Sequence, residues 1–383
     1  MTARTRTRLL VLSLAACLAL VAPAGAGLTT PATQEAAGPE TYLFDTTDPS
    51  TLQPSAMTTE EMEALWAILQ MIDGGAALAE ELPPGLRVVT PTLEGKEVPM
   101  SAASRTDDKS KPVLFVHGRD NYNMGGYGNM RNFFLNQGYS DVQRIGYYGG
   151  ECNVEHRAEH HGDHNKHYGG SGEHVTKTGC VSGTTQIHDL DTNIEHLAYH
   201  LAWMIYDHWT VNGVKVDYVG HSMGGLLIRY ALAKQGTTDF PPHLLVEDVT
   251  TWGTPHGGLG TSWCKLSTWS DVRQMCSDSA FMTWLKNNAQ NPQAKQWSTD
   301  WTLVGSDCDG WVAWNLAVDM KANHKVVHVS NPCYGHSDYY ADVSTTNDAV
   351  VDYMDAPSTT WYRWSSAPHS GKWAVNAAYL GTW

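Results

Sequence analysis

From residue 112 onward, short runs rich in apolar and β-branched residues alternate with stretches in which apolar residues recur every three or four positions. The runs at 112–116, 142–147, 216–219, 245–252, 302–305 and 325–330 have the length of buried strands. Between them, 130–135 fits a short helix. Leu190, Ile194, Leu197, Leu201 and Ile205 trace one side of a long amphipathic helix. Residues 347–354 are expected to close the unit as a final helix. Strand and helix in alternation predict an α/β fold, a mostly parallel central sheet with helices on both faces. Ligand chemistry in such sheets gathers at the carboxyl ends of the strands.

The pattern is weaker on either side. Residues 27–111 begin rich in Thr, Pro and Ala and hold one amphipathic stretch, 62–78, with Leu65, Ile68, Leu69 and Met71. They read as an N-terminal arm, either a propeptide or a segment packed on the core. An excursion at 260–297 sits between two core strands. It is either a cap whose Trp263, Trp269, Met282 and Trp284 meet an acyl chain, or an ordinary packed connection. A Trp-rich tail, 356–383, carries Trp361, Trp364, Trp373 and Trp383. Gripping an insoluble polymer is one use for them; core packing or β-hairpin pairing is the simpler one.

Charge and cysteines narrow the setting. A formal charge of -15 disfavours nucleic acid and anionic membrane surfaces, which bind through clustered Lys and Arg. Arg4, Arg6 and Arg8 precede an apolar run, 9–21, too short to span a bilayer, and Ala24-Gly25-Ala26 offers a cleavage site. Residues 1–26 therefore read as a signal peptide, with a secreted, extracellular mature chain starting near Gly27. Leu14-Ala15-Ala16-Cys17 resembles a lipobox, but the apolar run continues past Cys17. No later segment reads as a stable membrane insertion. Cys17 apart, six cysteines remain, an even number that suits disulfides outside the cell. The pairing closest in sequence is Cys152–Cys180, Cys264–Cys276 and Cys308–Cys333, each bond enclosing one loop region.

The chemistry centres on 216–231, VDYVGHSMGGLLIRYA. A strand, a glycine-bounded serine and a helix form a G-x-S-x-G nucleophile elbow that holds the Ser222 hydroxyl out at a strand end. A serine hydroxyl needs a base to take its proton, an acid to orient the base, and donors for the oxyanion. After such an elbow the acid comes next in the chain and the histidine last. The acid should follow the 302–305 strand, where Asp309 is the choice and Asp307 the runner-up. The base should follow the last parallel strand, which selects His336 over His324, His328 and His369. A Cys308–Cys333 bond would tie the acid loop to the base loop. The amides of Met223 and Arg119 are the expected oxyanion donors, with the Arg119 side chain incidental.

LFVHG at 114–118, GHSMGG at 220–225, WGTPHGG at 252–258, GSDCDGWV at 305–312 and YGHSD at 334–338, in that order, resemble the secreted bacterial lipases and esterases of the α/β-hydrolase superfamily. The resemblance runs from about residue 112 to 354. It implies an α/β-hydrolase fold and carboxylester hydrolysis without a cofactor, acting on lipid or other esters, in solution or at an interface. It carries Ser222, Asp309 and His336 as triad and makes His256 part of a structural turn. A polyester depolymerase would use the same triad, and a hydrolase-like binding protein would have lost it. The resemblance omits an insertion, 152–180, rich in histidine. His156-Arg157-Ala158-Glu159-His160 there fits an inverted zinc-protease signature, but Gly162, Gly169 and Gly170 break the helix it needs. A solvated polar loop, with no metal, is the expectation there.

Overall fold

A computed structural model describes residues 109–119, 124–148, 151, 153–158, 192–260, 262–296, 298–356 and 359–379. The expected signal peptide, nearly all of the N-terminal arm, most of the His-rich insertion, Cys152, Cys180 and Trp383 lie outside them.

One sheet organises these residues. Its strands are β1 (Val113–Val116), β2 (Val142–Gly146), β3 (His156–Arg157), β4 (Val216–His221), β5 (Val246–Trp252), β6 (Asp300–Ser306), β7 (His324–Ser330), β8 (Ala349–Asp355) and β9 (Tyr362–Ala367). They lie in the order β3-β2-β1-β4-β5-β6-β7-β8-β9. β1 to β7 are parallel, and β8 and β9 add antiparallel. Helices α1 (Gly128–Asn136), α2 (Ile194–His208), α3 (Met223–Lys234), α4 (Ser270–Met275), α5 (Ala280–Asn288), α6 (Trp314–Ala317) and α7 (Ser370–Tyr379) complete it.

β1 is apolar at every position because both faces of the sheet are covered. In β1, Leu114 and Val116 pack into the core shared with α2 and α3. Val113 and Phe115 point the other way, into the core shared with α1 and α7. The chain adds β2 on one side of β1, then returns through α2 to place β4 on the other side. That reversal opens a crevice at the carboxyl ends of β1 and β4, the usual ligand site of such sheets.

The final helix expected at 347–354 is instead strand β8. Ala349 and Val351 are buried while Val350 and Asp352 are half-buried, a period of two that β-branched valines favour. The tail does not stand apart. β9 pairs with β8, and α7 buries Trp373 in the core against Trp364, their ring centroids 5.9 Å apart. Trp361 packs against Trp314 at 6.3 Å.

The excursion between β5 and β6 divides. Its α5 lies on α3, with Met282 buried and Trp284 against Tyr230, 5.2 Å between ring centroids. The Arg229 guanidinium, buried in α3, donates to the carbonyls of His256, Leu285 and Ala289. Met282 and Trp284 thus pack against α3 and the core. α4 lies elsewhere, at the loop after β1, where Asp271 meets Arg119.

At the base of the sheet, His324 opens β7 between two carboxylates. Nδ1 is 2.9 Å from Asp355 and Nε2 3.5 Å from Asp300. Burial disfavours its charged form, but the hydrogen bonds to Asp300 and Asp355 outweigh this and push its pKa up to about 9. A raised histidine pKa stabilises the fold fully below about 6.5, and the gain is lost as pH rises through about 9. Asp355 is part-exposed, so solvent screening reduces the effect to about 1–3 kcal/mol. Urea melts at pH 6.5 and 9.5 are expected to show that loss in the native chain and a smaller one in His324→Asn. Equal pH dependence in both would count against this role.

Candidate active site

Ser222 sits between the end of β4 and the start of α3, with φ 52° and ψ -127°. A non-glycine residue there carries strain of about 1–3 kcal/mol and is held only by its surroundings. Its N–H donates to the Trp252 carbonyl at 2.8 Å, and Thr254 Oγ1 donates to its carbonyl at 2.8 Å. The turn leaves no room beside it. A Cβ on Gly224 would lie 2.5 Å from the His117 carbonyl oxygen. Met223 is the first residue of α3, so its amide has no partner within the helix.

The loop after β7 brings His336 over this serine. Nε2 is 2.9 Å from Ser222 Oγ, and Nδ1 is 2.9 Å from Asp309 Oδ2 and 3.1 Å from Oδ1. Asp309 follows β6 and its carboxylate is fully buried. Oδ1 accepts the backbone N–H groups of Trp311 and Val312, both at 2.9 Å, and Oδ2 accepts the Tyr339 hydroxyl at 3.1 Å. Asp307, the runner-up, is exposed to solvent. The Ser222 residue is 9% exposed and the His336 side chain 13%, so neither is fully sealed from solvent.

The acid and base loops are joined twice. Cys308 and Cys333 form a disulfide, as expected from sequence, and Cys264–Cys276 is a second. Ser306 Oγ accepts the amides of both Cys308 and Tyr334. These links hold the Asp309–His336 geometry.

Several contacts escaped sequence reasoning. His221 donates from Nε2 to the His336 carbonyl at 2.6 Å, fixing the base loop to the elbow. Burial pushes the His221 pKa well below the ordinary histidine range, and His336 pushes it the same way, so the ring stays neutral. Gly118 lies against Ser222, where a Cβ would meet Ser222 Cβ at 2.6 Å. The Arg119 side chain is not incidental. Its Nε donates to buried Asp271 at 2.7 Å, and its guanidinium lies 5.0 Å from the Trp269 ring centroid. Among these, His221 within the elbow motif and Gly118 within LFVHG carried a local signal.

The histidines set aside as bases are buried or paired away from Ser222. His256 is buried, with Nε2 3.0 Å from Thr251 Oγ1, and burial holds its pKa well below the usual range. Burial likewise drops His328 to about 3. His369 joins Asp342 and Asp348 at 2.7 and 3.0 Å. A group of metal-type ligands among the described residues, Asp217, Glu247 and Asp248, lies at the opposite end of the strands. Lys111 Nζ sits among them at 2.8, 2.9 and 3.5 Å.

No family model and no curated protein matches this chain. Solved structures do. The Bacillus licheniformis lipase BlEst2 in propeptide form is 15% identical over 63% of this chain and 49% of its own, with a TM-score of 0.38. The matched region thus spans about half of that protein. The mature form gives 16% identity, 63% and 89% coverage and a TM-score of 0.37. Aspergillus fumigatus lipase B gives 14%, 65% and 50%, with a TM-score of 0.33. Likeness at this level assigns no residue a role.

Proposed function

We propose that the protein is a secreted serine carboxylester hydrolase, a lipase or esterase. His336 Nε2 takes the Ser222 proton as Oγ attacks the ester carbonyl carbon, and Asp309 holds the imidazole in place. The amides of Met223 and Arg119 receive the charge that develops on the carbonyl oxygen. His336 then gives its proton to the leaving alcohol, and the acyl group stays on Ser222. Water, deprotonated by the same histidine, releases the acid.

One observation carries the reading: the hydrogen-bonded line Asp309–His336–Ser222 across the carboxyl ends of β6, β7 and β4, with a strained serine at its end. A binding protein has no use for that strain. The tail tryptophans do not favour a polymer surface, because Trp373 is buried and Trp361 and Trp364 pack against other rings. Two disulfides suit an extracellular site, and no helix among the described residues is long and apolar enough to cross a membrane.

An alkyl fluorophosphonate is expected to label the native chain once, on the peptide bearing Ser222. Peptide mass spectrometry checks this. Folded protein that stays unlabelled would sink the enzyme reading. Rates on short acyl esters, long acylglycerols and a polyester film then assign the substrate class.

A further inference from the structure

We propose that Tyr147, backed by His117 and Glu151, is a positioning residue that locks the Gly118–Arg119 peptide with the Arg119 N–H facing Ser222. The proposal rests on the serine-hydrolase reading and adds how its second oxyanion donor is held.

The peptide plane imposes the first constraint. In a trans peptide the carbonyl of one residue and the N–H of the next point in opposite directions. Among the described residues the cis bond is Asn331–Pro332, so Gly118–Arg119 is trans. Wherever the Gly118 carbonyl is anchored, the Arg119 N–H must face away. The Tyr147 hydroxyl donates to that carbonyl at 2.8 Å and also reaches the His117 carbonyl at 3.1 Å.

Sheet order then gives the direction. Tyr147 directly follows β2, which flanks β1 on one side, while β4 and Ser222 flank it on the other. A carbonyl drawn towards β2 turns the N–H towards β4. Gly118 is already pressed against Ser222 Cβ, so this N–H stands beside the nucleophile.

A second layer holds the tyrosine. The His117 ring stacks on Tyr147, centroids 4.1 Å apart and planes 9° from parallel. His117 Nδ1 lies 2.5 Å from the same Gly118 oxygen and Nε2 2.6 Å from Glu151 Oε1. Glu151 Oε1 in turn accepts the Tyr148 N–H at 3.0 Å. His117, Tyr147 and Glu151 are all fully buried. Burial also keeps the Tyr147 hydroxyl protonated, well above its ordinary range, so it remains a donor. Beyond the peptide, the Arg119 side chain is held by its ion pair with Asp271. Without the lock, a flip of this one peptide would present a carbonyl oxygen to the developing oxyanion. Aiming the donor in advance avoids that reorganisation during the reaction.

The test uses Tyr147→Phe, which keeps the ring stacked on His117 and removes only the oxygen. Rates are expressed per active site titrated with the fluorophosphonate, so only folded molecules count. The expected result is a fall in kcat of about tenfold or more with KM within about twofold. The Ki of an alkyl boronic acid, which forms an anionic tetrahedral adduct on Ser222, should rise by the same factor. A kcat within about twofold of native overturns the proposal, as does a fall in kcat with no matching rise in Ki. If Tyr147→Phe yields no titratable protein, Glu151→Gln carries the test on the same two readouts. A native chain that the phosphonate does not titrate would refute the serine-hydrolase reading itself, a different failure from either of these.

Discussion

Ser222→Ala and His336→Ala are each expected to lower kcat on a soluble ester by about 10⁵–10⁶, and the double variant by no more than either alone. The ceiling arises because the two groups act as one device. The hydroxyl is a useful nucleophile only while His336 Nε2, 2.9 Å away, takes its proton. The imidazole has nothing to deprotonate once the oxygen is gone. The residual rate, about 10³–10⁴ over water, comes from substrate binding and the oxyanion amides, which neither change touches. Unfolding cannot mimic this result. Ser222→Ala removes a single oxygen and leaves both backbone hydrogen bonds of the elbow in place. Its Tm should lie within about 2 °C of native, since the loss amounts to one side-chain hydrogen bond. Steady-state kinetics at equal concentrations of folded protein checks the rates, and losses that multiply in the double variant would show that the two residues act independently.

The same two residues also mark how far the sequence could be read. Six of the seven parallel strands, β1, β2, β4, β5, β6 and β7, were legible because strands covered on both faces are rich in apolar and β-branched residues, whereas β3 falls in the insertion that reads as a polar loop. β8 was misread because its apolar positions 350, 353 and 354 satisfy helical spacing while 349, 351 and 353 satisfy alternation. A run that short carries too few positions to separate the two periods. Its partner β9 was legible only as an option for the tail. Ser222, Asp309 and His336 could be chosen because the elbow is local and fold order ranks the acids and histidines downstream of it. Tyr147, Tyr339 and Asp271 had no such handle. Tyr147 meets Gly118 because the chain lays β2 beside β1, and Asp271 meets Arg119 across 152 positions of sequence. Contacts of that kind are made by sheet order and leave no periodicity behind.

Asp309→Asn is expected to lower kcat by about 10³–10⁴, while Asp307→Asn stays within about twofold of native. Size does not explain the difference, since asparagine and aspartate are nearly isosteric. The reason lies in who already occupies the carboxylate. Oδ1 accepts two backbone N–H groups, from Trp311 and Val312. In the asparagine variant only the carbonyl oxygen can take that place, because the amide nitrogen has no acceptor to offer two donors. The NH₂ group is then turned towards His336 Nδ1, now as a donor. Nδ1 must accept, and the neutral imidazole's one proton moves to Nε2. That is the nitrogen 2.9 Å from Ser222 Oγ, which needs it as an acceptor. The base is thus present, in position and in the wrong tautomer. Tyr339 adds to the preference. Its hydroxyl donates to Oδ2 in the native chain and must rotate to accept from the NH₂. Asp307 points into solvent and touches none of these groups, so its amide leaves the tautomer unchanged. Rates of both variants on one soluble ester decide the assignment. A large loss in Asp307→Asn with a small one in Asp309→Asn would reverse it.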